Sequence, residues 1–462
     1  MADITTINPA TGKELTTYDY MSESDVNNII DASHTAFLDW RLVDLDTRAK
    51  AITAISKVFD ERKEELAKLM TTERGKLYEQ SLQEIDLCMG ICDYTANVGV
   101  TELADEEREI DGMKKGIVTY QPLGIVYGIQ PWNFPAYQVV RYAIASLMAG
   151  NAILLKHAAN VTGSALLIED IIQTGLANAG ASKDLFRTLV ISHDLSDKVI
   201  AHDKVRGITF TGSNDGGKVI AEKAAKVTKK TVLELGSNDA FIVLADADLD
   251  VAVETCVQAR LTNNGETCVA AKRFVIVDDI YDDFTERMVK RFSEFNYGDP
   301  MSEDVQMGAL AREDLRKTLH KQVQESVDKG AKILVGGEIP DGEGYFYPAT
   351  ILADVQKGQP AYDDELFGPV ASFIRAKDTD DAMRLANDSR YGLGGAIFSK
   401  DEDNAIRLAS QYFDTGMVYI NGYGLANPAL PFGGVKDSGY GREHGGFGIK
   451  EFVNAKGLHV FG

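Results

Sequence analysis

The segment Asn263-Asn264-Gly265-Glu266-Thr267-Cys268-Val269-Ala270-Ala271-Lys272-Arg273-Phe274 sets one thiol on a polar, Gly-containing loop between a helical pattern and an apolar run. A cysteine so placed can be reached by a ligand. By itself it fits two readings: a nucleophile, or a small packed side chain. Cys88 and Cys92 stand four apart in the apolar stretch Leu87-Cys88-Met89-Gly90-Ile91-Cys92, with no His or further Cys close by in sequence. Buried helix packing is expected there, and no metal site. Gly212-Ser213-Asn214-Asp215-Gly216-Gly217-Lys218 has the frame of a phosphate-binding loop. The next residue is Val219, where that loop needs a hydroxyl for magnesium, so a nucleotide triphosphatase is not expected. Free backbone N–H groups at Thr211-Gly212-Ser213 still suit an anion, and a plain N-cap at Ser213 is the other reading.

These residues need elements to hold them. Apolar spacing predicts helices over 24–40 and 46–70. From about residue 124, short apolar strands alternate with helices. Strands are expected at 124–130, 151–156, 187–191 and 206–211, and helices from near Pro135, Val161 and Leu195. That alternation calls for a parallel sheet covered by helices. A second block follows, with strands near 240–244, 272–277, 332–335, 372–375, 396–399 and 417–421. Helices are expected near 249–262, 280–295, 311–329 and 402–412. The change of block falls close to Leu235. Residues 105–123 read as a charged hairpin and 452–461 as a terminal strand. Neither has an evident partner within the two blocks, so pairing across subunits is expected.

At 462 residues the chain can build two domains and an accessory element. Hydrophobic residues make up 44% and charged residues 26%, an ordinary globular balance. The formal charge of -22, from 48 basic and 70 acidic side chains, argues against nucleic acid as a partner. It also means that an anionic substrate needs a local cation. There is no apolar run of about eighteen residues and no basic, apolar leader at Met1-Ala2-Asp3-Ile4. Four cysteines are too few for a disulfide framework, so a reducing, cytoplasmic setting without a membrane partner is expected.

Four further pieces stand in order with the Cys268 loop: Pro131-Trp132-Asn133-Phe134-Pro135, Glu234-Leu235-Gly236, Glu365-Leu366-Phe367-Gly368-Pro369 and Pro431-Phe432-Gly433-Gly434-Val435-Lys436. Together they resemble the aldehyde dehydrogenase superfamily over essentially the whole chain, and within it are most similar to the succinate-semialdehyde dehydrogenases. Leu155-Lys156-His157-Ala158-Ala159-Asn160 resembles the His-containing form of a motif in one bacterial subgroup. The resemblance implies an α/β fold. A Rossmann-type cofactor domain would span 1–104 and 124–234, a catalytic α/β domain 235–446, and a β oligomerisation element 105–123 with 447–462. A homodimer or homotetramer follows.

The resemblance also implies roles. Cys268 would add to an aldehyde, Asn133 and the Cys268 N–H would hold the oxyanion, and Glu234 would activate water. Glu443 could serve a proton relay or be a surface carboxylate. Lys156 would meet the adenine ribose, Ser213 and Trp132 the diphosphate, and Glu365 the nicotinamide ribose. Phe367 and Leu235 would pack against the cofactor. Arg141, about two helical turns beyond Asn133, would take a substrate carboxylate, in an otherwise apolar helix where a charge needs a reason. Asn427 or backbone N–H groups of the loop before Pro431 would replace the Ser expected as its helper.

Three departures stand out: Ser237 and Ala240 replace the family's usual Gly and Pro, Ala270 rules out a neighbouring second Cys, and Ala159 replaces an acid that marks NAD preference. NADP is therefore expected as cofactor, with NAD also accepted. The alternatives are another semialdehyde, such as glutarate semialdehyde, or general aliphatic aldehydes. A CoA-acylating enzyme is disfavoured by Glu234, and a silent relative by the intact Cys268, Asn133 and Glu234.

Overall fold

The computed structural model describes residues 3–462, so Met1 and Ala2, read above for a leader, lie outside the described residues. Two sheets carry the chain. The first has the order Gly439–Tyr440, Lys230–Glu234, Val205–Thr211, Ile125–Gln130, Ala152–His157, Phe186–Thr188, parallel except at its first strand. Its central strand Ile125–Gln130 is buried along nearly its whole length, as a sheet covered on both faces requires. The chain runs outward from Ile125–Gln130 to Phe186–Thr188, then returns to Val205–Thr211 on the other side. That reversal opens a crevice at the strand ends beside Gln130 and Thr211, where open α/β sheets take their ligands.

The second sheet has the order Lys332–Val335, Thr350–Ala353, Val370–Ala376, Arg273–Val277, Ala240–Val243, Gly395–Phe398, Tyr419–Ile420, with only Lys332–Val335 antiparallel. It turns the opposite edge to the site. Asp239, Lys272 and the run 365–369 stand just before its strands, whereas Asn133 follows and Glu234 ends a strand of the first sheet.

Several expectations shift. The stretch 46–70 is two helices, Leu45–Glu61 and Lys63–Arg74, broken at Arg62. The strand expected at 187–191 keeps only Phe186–Thr188. A 25-residue helix, Tyr78–Glu102, extends well beyond the helix packing expected around Cys88 and Cys92; its partly buried polar residues blur the amphipathic pattern over the rest. Cys88 and Cys92 are buried on it, as expected. The hairpin and the tail do not lack partners. Val453–Val460 pairs antiparallel with Lys115–Pro122, which pairs with Glu106–Arg108, in a three-stranded sheet of their own. Gly439–Tyr440 hydrogen-bonds to Lys230–Glu234 as the edge strand of the first sheet.

The helix that follows Asn133 is Tyr137–Met148, and all twelve of its residues are buried. With no side chain to cap it locally, Glu84 reaches in from Tyr78–Glu102. Its Oε1 accepts from the N–H groups of Ala136 at 2.7 Å and Tyr137 at 2.9 Å. A carboxylate at a helix N-terminus also meets the positive end of the dipole.

Candidate active site

The turn before Cys268 is tightly specified. Asn263, Asn264 and Gly265 follow one another with φ of 57°, 57° and 72°, a left-handed run that Asn and Gly tolerate best. A Cβ on Gly265 would stand 2.4 Å from Gly368 backbone. Asn264 is fixed by Gly308 N–H, donating at 2.8 Å, and by Ala309 O, accepting at 2.8 Å. Arg74 and Glu266 form a fully buried ion pair at 2.8 Å, with the Arg74 guanidinium over the Trp132 ring. Asn133 then meets this turn. Its Nδ2 donates to Glu266 O at 3.3 Å, and its Oδ1 accepts from Gln138 Nε2 at 3.1 Å. The amide is thus beside the nucleophile loop with its donor side toward it.

Cys268 is half-buried and packs against the buried cluster of Val269, Leu393 and Phe432. Burial pushes its thiol up to about 12, against the pull of Arg141 and Lys272 and with help from Glu234 and Glu365. At rest it is therefore a thiol, and it needs a base. Glu234 ends its strand 2% exposed, and neither carboxylate oxygen has a hydrogen-bond partner. Burial raises it to about 8; Arg141 opposes the rise and Glu443 adds to it. A Cβ at residue 433 would come within 2.8 Å of Glu234 Oε1, so Gly433, at φ 146°, leaves that oxygen its space.

Arg141 is buried, but most of its fork is in use. Nε pairs with Glu443 Oε2 at 3.1 Å and Nη2 donates to Thr211 Oγ1 at 2.8 Å, between the rings of Tyr137 and Phe432. Nη1 has no partner, and Nε has the ion pair with Glu443 but no hydrogen bond. A bidentate grip on a substrate carboxylate is not free in this arrangement, because the long Arg side chain has already found Thr211 and Glu443. Glu443 is correspondingly not a surface carboxylate; it is 4% exposed. Asn427 is exposed, its Oδ1 accepting from Ala429 N–H at 2.9 Å, and it lines a cavity of about 500 Å³ with Met417, Tyr419, Tyr423, Leu430 and Phe432.

The residues expected around the cofactor fall along the crevice. Trp132 and Phe367 meet edge to face at 5.8 Å. Glu365 Oε1 is 3.2 Å from Lys272 Nζ. Leu235 is buried and donates its N–H to Ser438 O at 3.0 Å. Ser213 caps the helix Asn214–Lys226, its Oγ accepting from Gly216 N–H at 3.2 Å, which leaves further N–H groups of that first turn without helical partners. Lys156 lines a cleft of about 670 Å³ with Ala159, Asn160 and Thr188. Burial alone lowers its pKa, and Asn160 Nδ2 and Thr188 Oγ1 have no partner in the protein. Such orphaned polar groups in a wide cleft fit a polar dinucleotide. His157 holds the loop from behind: its Nε2 donates to Pro135 O at 2.9 Å while Nδ1 accepts from Ala158 N–H.

Two further residues, Ser237 and Lys272, hold the Cys268 turn by four hydrogen bonds. Ser237 Oγ donates to Cys268 O, and Lys272 Nζ donates to Ser237 Oγ at 2.8 Å, Thr267 O at 3.1 Å and Cys268 O. Lys272 stood in the quoted Cys268 segment and Ser237 among the departures. A long-range bond between them has no local pattern that would reveal it.

A thiol, an unpaired carboxylate raised toward neutrality and an amide donor meet beside a dinucleotide-type crevice. That set belongs to enzymes that oxidise carbonyl carbon through an acyl-cysteine. The chain matches the aldehyde dehydrogenase family over residues 2–458, and it is a member of that family. It is similar to succinate-semialdehyde dehydrogenase [NADP(+)] of Deinococcus radiodurans, 41% identical over 456 residues, covering 99% of this chain and 94% of that one. It is also 41% identical to succinate semialdehyde dehydrogenase [NAD(P)+] of Escherichia coli, covering 97% and 96%. The solved succinic semialdehyde dehydrogenase of Streptococcus pyogenes in complex with NADP+ superposes with a TM-score of 0.96 at 36% identity, covering 99% and 100%.

Proposed function

We propose that this chain carries out the NADP-dependent, non-acylating oxidation of succinic semialdehyde to succinate, with NAD also accepted. The observation that carries the reaction class is Glu234, buried, unpaired and raised to about 8 beside a Cys268 thiol. A carboxyl at that value exchanges protons near neutral pH, as a general base must. Substrate and cofactor rest on the relatives, all three of which are named for this aldehyde, with NADP+ in two names and NAD(P)+ in the third.

Glu234 takes the Cys268 proton, and the thiolate adds to the aldehyde carbon to give a thiohemiacetal. The alkoxide is held by Asn133 Nδ2 and the Cys268 N–H; losing one such donor costs about 100- to 1,000-fold in rate. A bound nicotinamide would supply the hydride acceptor, and loss of the hydride leaves Cys268 as a thioester. Glu234 releases the first proton to solvent and then removes a proton from water as the water oxygen adds to the acyl carbon. The C–S bond breaks, the acid departs and the thiol regains its proton. Lys156 would hold the adenine ribose, Ser213 and Trp132 the diphosphate, and Glu365 the nicotinamide ribose, with Phe367 and Leu235 packed alongside. Ala159, small and exposed beside Lys156, puts no carboxylate against a 2'-phosphate. Arg141 would meet the substrate carboxylate through Nη1, with Asn427 at the cavity mouth.

The division into a cofactor domain (1–104 and 124–234), a catalytic domain (235–446) and an oligomerisation element (105–123 and 447–462) belongs to this reading. So do a homodimer or homotetramer and a cytoplasmic location. No helix among the described residues is long and apolar enough to cross a membrane.

One observation favours a second reading. The cavity from Gly416 to Phe432 is lined without Lys or Arg, which suits an uncharged aliphatic aldehyde. Reduced-cofactor absorbance with succinic semialdehyde and with butanal, each with and without CoA, separates the readings. The proposal expects succinic semialdehyde to be strongly preferred and CoA to be without effect. A preference for butanal would overturn the substrate, and dependence on CoA would overturn hydrolysis.

A further inference from the structure

We propose that Lys272 is a positioning residue for the reaction: its ammonium holds the backbone of the Cys268 turn so that the Cys268 N–H points at the oxyanion, with Ser237 completing the clamp. The inference rests on the reading of Cys268 as nucleophile.

Lys272 lies just before the strand Arg273–Val277, its own N–H donating to Asp239 O at 3.1 Å. The side chain is 2% exposed. An ammonium has three protons and no lone pair, and a buried one is retained only when those protons are used. Here all three have acceptors, Thr267 O, Cys268 O and Ser237 Oγ. Glu365 supplies the opposite charge at 3.2 Å, through an oxygen with no hydrogen-bond partner. Three converging oxygens suit a compact ammonium better than the planar fork of arginine.

The consequence follows from peptide geometry. The Thr267–Cys268 peptide is planar and trans, so its C=O and N–H point in opposite directions. Fixing Thr267 O at 3.1 Å from Lys272 Nζ therefore fixes the direction of the Cys268 N–H. The next peptide is held the same way, because Cys268 O accepts from both Lys272 and Ser237. The thiol and its oxyanion donor sit between two pinned carbonyls. Asn133 Nδ2 and Asn263 Nδ2 hold the preceding carbonyl, Glu266 O, at 3.3 and 3.2 Å. Ser237, where relatives usually carry Gly, adds a hydroxyl that both receives a Lys272 proton and donates its own to Cys268 O. The titratable groups facing the thiol are Arg141, Lys272, Glu234 and Glu365, with the phenols of Tyr137, Tyr419 and Tyr423. Lys272 alone among them also bonds the backbone of the turn.

The test uses the full-length enzyme with Lys272→Met and Ser237→Gly. Thermal unfolding and cofactor binding by fluorescence serve as controls. Two readouts decide: kcat against KM for the aldehyde, and the pH profile of Cys268 alkylation by iodoacetamide without cofactor. Lys272→Met is expected to lower kcat about 100-fold with KM nearly unchanged, as for a misplaced reacting group. It is also expected to move the alkylation midpoint to higher pH. Ser237→Gly should lower kcat less, leave KM unchanged and leave the midpoint near wild type. A folded Lys272→Met with wild-type kcat or a wild-type alkylation midpoint overturns the proposal, as does a loss that falls on cofactor affinity. Should Lys272→Met fail to fold, Ser237→Gly decides: lower kcat at constant KM supports the clamp, and wild-type kcat overturns it. Turnover by Cys268→Ala would sink the nucleophile itself, a failure separate from any result at Lys272.

Discussion

Burial holds Glu234 at about 8, so at neutral pH most molecules carry it protonated. The thioester step needs the ionised form, and kcat is expected to rise with pH through about 8. Stopped-flow traces of Glu234→Gln should show one burst of reduced cofactor followed by slow turnover without that rise. Linkage gives a second consequence. The folded pKa lies above the ordinary 4.5, so the fold prefers the protonated form. The unfolded chain ionises above about 4.5. Glu234 therefore costs stability increasingly as pH climbs from there through 8. Glu234→Gln should raise the Tm at pH 8 and change it little at pH 4; an equal shift at both would contradict the assignment. Arg141 is tested by differential loss. Arg141→Ala leaves Glu443 unpaired and should slow every substrate. Succinic semialdehyde should lose about 1.5–3 kcal/mol more transition-state binding than butanal, as for one charge-assisted hydrogen bond. Equal losses in kcat/KM would make Arg141 a partner of Glu443 and Thr211 only.

The elements bring these groups together by their ends. Asn133 and Glu234 stand where first-sheet strands stop, and Cys268 and Glu365 where second-sheet strands are about to start. The left-handed run at Asn263-Asn264-Gly265 makes that junction, and it predicts the effect of one methyl group. Gly265→Ala would place a Cβ 2.4 Å from Gly368 backbone at φ 72°, where strain alone costs on the order of 1–3 kcal/mol. A lower Tm with a larger loss of kcat is expected; a Tm and kcat equal to wild type would contradict the close approach. Much of this scale was readable from residue patterns. The helix Glu402–Tyr412 falls where spacing puts it, because Ala405 and Leu408 on one face meet the core; the strand Lys332–Val335 also falls where expected, as an edge strand whose residues are exposed or half-buried. The extent of Tyr78–Glu102 beyond Cys88 and Cys92 was not readable, since Glu84 and Ser81 are buried on it for contacts supplied from elsewhere. The Cys268 loop and its companion motifs could be found as short strings. The engagement of Arg141 by Glu443, the Glu84 cap and the Lys272–Ser237 clamp join distant segments, and local patterns carry no trace of them.

At the scale of the molecule, the strand Val453–Val460 leaves one edge of the three-stranded sheet open, as Glu106–Arg108 does the other. Open edges invite a second chain. Light scattering at micromolar concentration should report a dimer or a larger even assembly; a monomer would contradict this. The cofactor crevice gives another expectation: kcat/KM for NADP should exceed that for NAD, and Ala159→Glu should reverse the order by setting a carboxylate beside Lys156. NAD favoured by the unaltered enzyme would contradict it. The central claim is that Cys268 carries the acyl group and Glu234 releases it. The most direct test is peptide mass spectrometry of Glu234→Gln, acid-quenched after mixing with NADP and succinic semialdehyde. One succinyl group on the Cys268 peptide, equal in amount to the burst of NADPH, is the predicted result. A full burst with Cys268 unmodified, or with the acyl group on another residue, would contradict the account.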